Sequence, residues 1–340
     1  QCNEDIALMR TIPGMVVINP SDDVEAKAAV KAAYEHQGPV YMRFGRLAVP
    51  VINDNEDYKF ELGKSTNFDN PKDINEKIQW LSFFTDTTKW SMLADKYAVR
   101  QYVAEKVGEH ILVPLLGKWD NAKDIDFNLL PEKFVIKPNN GSYDTMIIKE
   151  KSKADLNKIR KNMEYSMKHR FGYENAEVHY LRIKPCIIAE QMLEADEKEG
   201  LIDYKIWCFD GKPYMFFVVS NRDNIHHTAN FNCYDLQWQR HPEFISPEYR
   251  NNFSCPRPEN INEMLLYASK LSQGLPQARI DLYNLKGKIY FGEITLTSNY
   301  GMMPYFTQEM LDNMGKLCIL PKRSFKEKFL TFYRRWSPYF

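Results

Sequence analysis

The chain has 340 residues, enough for about two domains, and its 44% hydrophobic and 26% charged content is that of an ordinary globular protein with a sizeable core. Lys plus Arg and Asp plus Glu number 45 each, so no basic surplus points to nucleic acid or an anionic membrane surface. No apolar run approaches the ~20 residues of a membrane helix, which argues against stable membrane insertion; six scattered cysteines without a C-x-x-C pair suggest reduced thiols in a cytoplasmic protein and argue against zinc.

The chain starts at Gln1 with neither a methionine nor a signal-peptide pattern, which reads as a fragment or an incomplete reading frame. MVVIN, residues 15–19, is a short buried strand, and Asp22 with Glu25 forms a capping box ahead of the helical VEAKAAVKAAYEH. Gly38 and Pro39 end that helix, and VYMRF alternates as a second strand. The result is one βαβ unit, which cannot bury both faces of its parallel pair alone. EDIALMRTIPGMVVINPSDDVEAKAAVKAAYEHQGPVYMRFGR resembles the end of the pyrimidine-binding domain of transketolases, and the likeness runs to about Lys64. In that family the thiamine diphosphate motif and the activating glutamate lie outside this stretch. Residues 1–64 are therefore read as a truncated remnant, a fusion or a joined reading frame, and only by this segment as a piece of a transketolase.

A polar stretch, KSTNFDNP, marks a change of pattern, and residues 65–130 read as mainly helical. Helices are expected from Asn75 in NEKIQWL and in TTKWSMLADKYAVRQYVAEKVG, ended by Gly108. Asp124-Ile125-Asp126 imitates the D-x-D of nucleotide-sugar glycosyltransferases, but in NAKDIDFN acids commonly cap helices. A glycosyltransferase is thus an alternative, and a noncatalytic glycan-binding protein is another, since 14% aromatic content suits sugar stacking as well as core packing.

FVIKPNNGSYDTMIIK, residues 134–149, predicts a hairpin whose small loop of Asn140, Gly141 and Ser142 brings backbone N–H groups against a phosphate, with the Lys137 ammonium beside it. KPCIIAEQML is the next strand; Cys186 to Ala189 would wall an adenine slot, Gln191 to Leu193 its edge, and Glu190 or Glu194 would take the ribose. DYKIWCFDGKPYMFFVV is a second hairpin turning at Asp210 and Gly211, with Asp203 and Lys205 at its start. His226 and His227 follow, read as loop or exposed residues rather than a metal site.

RIDLYNLKGKIYFGEITLTSN, residues 279–299, carries Arg279, Asp281 and Glu293 on a third hairpin. A three-residue loop with Gly287 in the left-handed position pairs Asn284 with Lys288, sets Glu293 opposite Arg279 and leaves Asp281 on the diagonal at roughly 7–8 Å on the same face. A two-residue loop would put the carboxylates on opposite faces. The aromatic and basic tail from Phe325, within residues 321–340, is read as a packed terminal helix, with contact to a membrane surface or a partner as the alternative.

In this order the features resemble the ATP-grasp superfamily. EKIQWL, ADKYAVRQYV, LPEKFVIKPNNGS, IIAEQML, DYKIWCFDGKP and ARIDLYNLKGKIYFGEITLT are similar to the teichuronopeptide-synthesis type, over about residues 67–315. The resemblance implies an α+β class and an ATP-grasp fold of two subdomains clasping a nucleotide, with residues 131–320 as the nucleotide-binding and catalytic domain. It implies ATP and Mg²⁺ as cofactors, Lys96 and Lys137 on the ATP phosphates, Glu190 at the ribose or adenine edge, and Asp281 and Glu293 on magnesium. Arg279 would face the reacting phosphoryl group or carboxylate. Where many members have a third, asparagine ligand, this chain has Thr295. The implied reaction joins a carboxylate acceptor, such as a uronic acid polymer, to an amine or amino acid in bacterial surface-polysaccharide synthesis.

Overall fold

A computed structural model describes residues 9, 15–36, 38–44, 51, 67–141, 144–169, 171–172, 177–194, 200–223 and 228–322. They fall into two compact units that divide after Asn67.

In the first unit β1 (Val16–Ile18) and β2 (Val40–Met42) pair in parallel around α1 (Asp23–Glu35), the expected βαβ unit. Asp22 Oδ1 accepts from Glu25 N at 2.8 Å, and Glu25 Oε2 accepts in return from Ser21 N at 2.7 Å. The reciprocal cap is thus shifted one residue outward from the expected box.

The second unit begins with α2 (Ile74–Phe84), α3 (Thr88–Ala94) and α4 (Val99–Lys106). Asp73 caps α2 by accepting from Glu76 N at 2.9 Å, and Gly108, at φ +132°, lies just beyond α4. Two antiparallel sheets follow. The smaller has the order β3 (Leu115–Trp119), β6 (Ile187–Gln191), β4 (Phe134–Pro138), β5 (Met146–Ile148), with α5 (Leu156–Lys168) between β5 and β6 in the chain. Phe134, Ile136, Ile187, Ala189, Ile159 and Met163 form its core. Lys137 lies on the other face of β4 from Phe134 and Ile136, as the alternation predicts.

The larger sheet has the order β11 (Lys288–Thr295), β10 (Ala278–Leu285), β7 (Asp203–Phe209), β8 (Lys212–Asp223), β9 (Thr228–Tyr234). The β7–β8 hairpin turns at Asp210 (φ +47°) and Gly211 (φ +77°), the primed geometry that matches strand twist. Ile280 and Leu282 face α6 (Ile261–Ser272): the Met264 sulfur meets Asn284 Nδ2, on the same strand face, at 3.6 Å. Helix α7 (Gln308–Leu317) packs against α2, and the core of this sheet extends through Ile74, Leu81, Trp90, Val103 and Met310. The five described cysteines are buried free thiols. No described helix is long and apolar enough to cross a membrane. His226, His227 and the tail from Phe325 lie outside the described residues.

Candidate active site

The β10–β11 hairpin corrects the predicted register. Its loop has two residues, Lys286 (φ +51°) and Gly287 (φ +82°), both left-handed, so Leu285 pairs with Lys288 and Asn284 with Ile289. Continued unbroken, that register would turn Glu293 to the face of Ile280. A bulge prevents this: Leu282 pairs with Phe291, Gly292 is skipped, and Asp281 pairs with Glu293. A Cβ on Gly292 would stand 3.0 Å from the Asp281 carbonyl oxygen, a contact so tight that a side chain there would push the partner strand away. The carboxylates therefore sit directly opposite each other, and Arg279 is opposite Thr295 instead of Glu293.

Lys205 pairs with Asp281 from the other side, on β7. Cross-strand partners share a face, so the row Lys205, Asp281, Glu293 crosses three strands on the side away from α6. Arg279 holds Asp281 by a fork, Nε to Oδ1 and Nη2 to Oδ2, each at 2.7 Å, and Lys205 Nζ donates to the same Oδ2. Arg279 Nη2 also reaches Glu293 Oε1 at 3.2 Å and Thr295 Oγ1 at 3.0 Å; Nη1 reaches Ser298 Oγ at 3.2 Å. Asp203 stands 3.7 Å from the Lys205 ammonium. Asp281 and Arg279 are buried, whereas the Glu293 side chain is 43% exposed. Burial pushes the Glu293 carboxyl upward, but Arg279, Lys205, Lys96 and the Thr295 hydroxyl outweigh it and hold it down at about 2. Burial works against the Arg279 charge; Asp281 and Glu293 overcome it and raise its pKa.

On the smaller sheet Glu190 is opposite Val135 and so shares a face with Lys137. Its two oxygens accept from Lys137 Nζ at 2.7 Å and Arg100 Nη1 at 2.8 Å. The expected ribose acid is thus occupied by two cations. Gln191 is exposed, Leu193 is half-buried, and Glu194, also exposed, pairs with Lys133 at 2.9 Å. Lys96 precedes α4; its N–H donates to Asn139 O at 3.1 Å and its ammonium to Gly141 O. Burial lowers the Lys96 pKa; Glu293 of the larger sheet opposes this, and Lys137 of the smaller sheet adds to it. Charged groups of both sheets therefore act on one lysine. Asn140 is buried beside it, and Ser142 lies outside the described residues.

Several residues of this region carry little or no signal in the sequence. Arg100 lies in the first turn of α4, four residues after Lys96, which precedes the helix, and nothing local in the sequence marks it as a partner of Glu190. Asn139 closes the loop, accepting from Cys186 N at 2.7 Å and donating to Asp95 Oδ1 at 2.9 Å. Glu177 and Tyr180, before β6, carry no local motif; burial and the charges of Glu293 and Glu177 raise the Tyr180 pKa. Asp124 and Asp126 are committed to turns: Asp126 accepts from Asn128 N and Asp124 from Asn121 Nδ2, each at 3.0 Å.

Magnesium is typically held by one or two carboxylates together with phosphate oxygens. Glu293, ionised and accessible, with the Thr295 hydroxyl at 2.9 Å, fits that partial donor set; Asp281, opposite it, has both oxygens accepting from Arg279 and Oδ2 from Lys205 as well. No group of three or more His, Cys, Asp or Glu among the described residues is arranged to hold a metal ion alone.

A family model described as TupA-like ATP-grasp matches residues 76–318, well over half of the chain. The chain belongs to that family, and its α+β architecture is an ATP-grasp fold. The model of the transketolase pyrimidine-binding domain matches residues 1–51. An apulose-4-phosphate transketolase chain of Phocaeicola vulgatus is 44% identical over 61 residues, which are 18% of this chain and 20% of that protein. A 6-deoxy-6-sulfo-D-fructose transketolase chain of a Clostridium species is 43% identical over 63 residues, 18% of this chain and 19% of that one. The chain spans about a fifth of the length of these relatives. Among solved structures, L-amino acid ligase from Bacillus licheniformis is 15% identical, covering 67% of this chain and 49% of that one, at a TM-score of 0.43. D-alanine–D-alanine ligase from Bacillus anthracis, complexed with ATP, is 14% identical, covering 89% and 96%, at 0.38. The family assignment rests on neither.

Proposed function

We propose that this chain is an ATP-dependent carboxylate–amine ligase that forms an amide through an acyl phosphate, in the synthesis of a bacterial surface polysaccharide such as a teichuronopeptide or a capsule. The observation that carries the reading is the Asp281–Glu293 pair opposed on one sheet face and threaded by Arg279, with Lys96 acted on by Glu293 from one sheet and Lys137 from the other.

In this reading Lys96, Lys137 and the loop of Asn140, Gly141 and Ser142 hold the ATP phosphates, and Glu190 with Gln191 and Leu193 borders the nucleoside. Asp281 and Glu293, beside Thr295, would hold magnesium, which when bound neutralises phosphate charge and orients the γ-phosphoryl group. An acceptor carboxylate oxygen forms a bond to the γ-phosphorus as the bond to the β–γ bridging oxygen breaks, and ADP leaves. Arg279, Lys205 and Lys137 offset the negative charge that builds there. An amine nitrogen then attacks the acyl carbon, the carbon–oxygen bond to phosphate breaks, and inorganic phosphate and one proton are released. Residues up to 64 supply none of these groups.

The test is ADP release with ATP and Mg²⁺ against a panel of amino acids and uronic-acid acceptors, with the product identified by mass. Release that needs acceptor and amine together, with amide mass, supports the ligase. Sugar transfer from a nucleotide sugar without ATP cleavage, or a thermal shift with oligosaccharide but none with ATP and Mg²⁺, refutes it.

A further inference from the structure

Beside the charged cluster lies a cavity of about 180 Å³, many times the ~10–15 Å³ that admits one water. Ile78 and Ser82 of α2, Glu177, and Thr297, Tyr300 and Met302 from the turn after β11 line it. Glu177 is buried, and its carboxyl has a single hydrogen-bond partner among the described residues, the Thr297 hydroxyl, which donates to Oε1; no described cation pairs with it. Ser82 is also buried, and its hydroxyl has no partner among the described residues. Both groups are of the kind that a folded protein ordinarily satisfies.

We propose that this cavity receives the amino group of the amine substrate, a primary amine of amino-acid size, with Glu177 as the carboxylate that meets its ammonium. The proposal rests on the ligase reading above and names the subsite which that reading leaves open.

Three further features agree. Thr297 holds Glu177 while its neighbour Ser298 takes the Arg279 guanidinium at 3.2 Å, so the cavity wall and the phosphoryl-facing cluster are consecutive residues of one chain segment. An amine seated there is next to where the acyl phosphate forms. The turn is clamped: Asn299 and Gly301, at φ +44° and +68°, take the left-handed region readily, Tyr300 at φ +59° is strained in it, and a Cβ on Gly301 would stand 2.8 Å from Asn75 O on α2. Its conformation is imposed by packing and shapes the cavity. The cavity also disfavours the other substrate end, because the buried carboxyl of Glu177 faces it. Burial pushes the Glu177 carboxyl up to about 7, the condition of an acid that lacks a cation.

The experiment uses the full chain with ATP, Mg²⁺ and a uronic-acid acceptor, and compares glycine, L-alanine, L-glutamate and L-lysine with their N-acetyl forms. At least one free amine supports amide formation where its acetylated form does not. Glu177→Gln raises KM for that amine at least about tenfold and leaves KM for ATP within about twofold; Ser82→Leu, which fills the cavity, does the same. An unchanged amine KM in both variants overturns the proposal, as does ADP release in which no free amine outperforms its acetylated form. Absence of any ATP-dependent thermal shift in the unaltered protein removes the ligase reading itself, and this subsite with it.

Discussion

Replacing Glu177 by glutamine should make the protein more stable, and only above acidic pH. In the folded protein burial raises this carboxyl from its ordinary 4.5 to about 7, although the Thr297 hydroxyl pulls the other way. Between those values the folded chain keeps a proton that the unfolded chain has lost. The unfolded state then binds fewer protons, and stability falls as pH rises, at about 1.4 kcal/mol per pH unit. Across the window the loss reaches about 3 kcal/mol, and above pH 7 it is constant. Glutamine has the same size, accepts the same hydrogen bond from Thr297 and does not titrate. Urea denaturation of both proteins at intervals from pH 4.5 to pH 8 should give equal stabilities at the acid end and a gap opening to about 3 kcal/mol by pH 8. Other titrating groups, Glu293 at about 2 among them, are common to both chains and cancel. Parallel curves, or a gap of the opposite sign, would show that Glu177 is already compensated and the reasoning wrong. A bound amine should shrink the gap, because its ammonium keeps the wild-type carboxylate ionised.

Asp281→Asn and Glu293→Gln should each cut ATP turnover at least about a hundredfold, or roughly 2.7 kcal/mol in the barrier, while circular dichroism stays unchanged; Asp124→Asn, on its exposed turn, should leave both turnover and circular dichroism as they were. Lys137→Ala should weaken ATP about ten- to a hundredfold and leave the acceptor KM nearly as it was, since one charge-assisted contact of roughly 1.5–3 kcal/mol is lost. Parallel nucleotide titration and steady-state kinetics decide this, and an unchanged ATP affinity with a raised acceptor KM would reassign the lysine. A chain starting at residue 65 should keep the thermal shift with ATP and Mg²⁺, and a soluble truncation that bound no ATP would join the N-terminal segment to the site.

The hairpins are legible because each is written locally. Asp210-Gly211 stands between two alternating runs, and Phe134 and Ile136 alternate with Val135 and Lys137. The third hairpin is legible in its outcome but not in its route. Lysine is not a residue that announces a left-handed turn, so Lys286-Gly287 passes for part of a longer loop. The compensating bulge is signalled only by Gly292, an isolated glycine inside a strand. The two departures cancel, and the carboxylates still share a face. Pairings made across the fold leave no such trace. Glu190 reads as a free acid in IIAEQML because its partner Arg100 stands 90 residues earlier on another element, and Glu177 meets Thr297 across 120 residues. Residue type shows that a carboxylate is present; only the fold shows which cation has taken it. That difference separates Glu190, held by two cations and available to a nucleotide only in competition with them, from Glu177, held by one hydroxyl and facing a cavity. Of these two acids, the one without a cation is the one that no motif marks in the sequence.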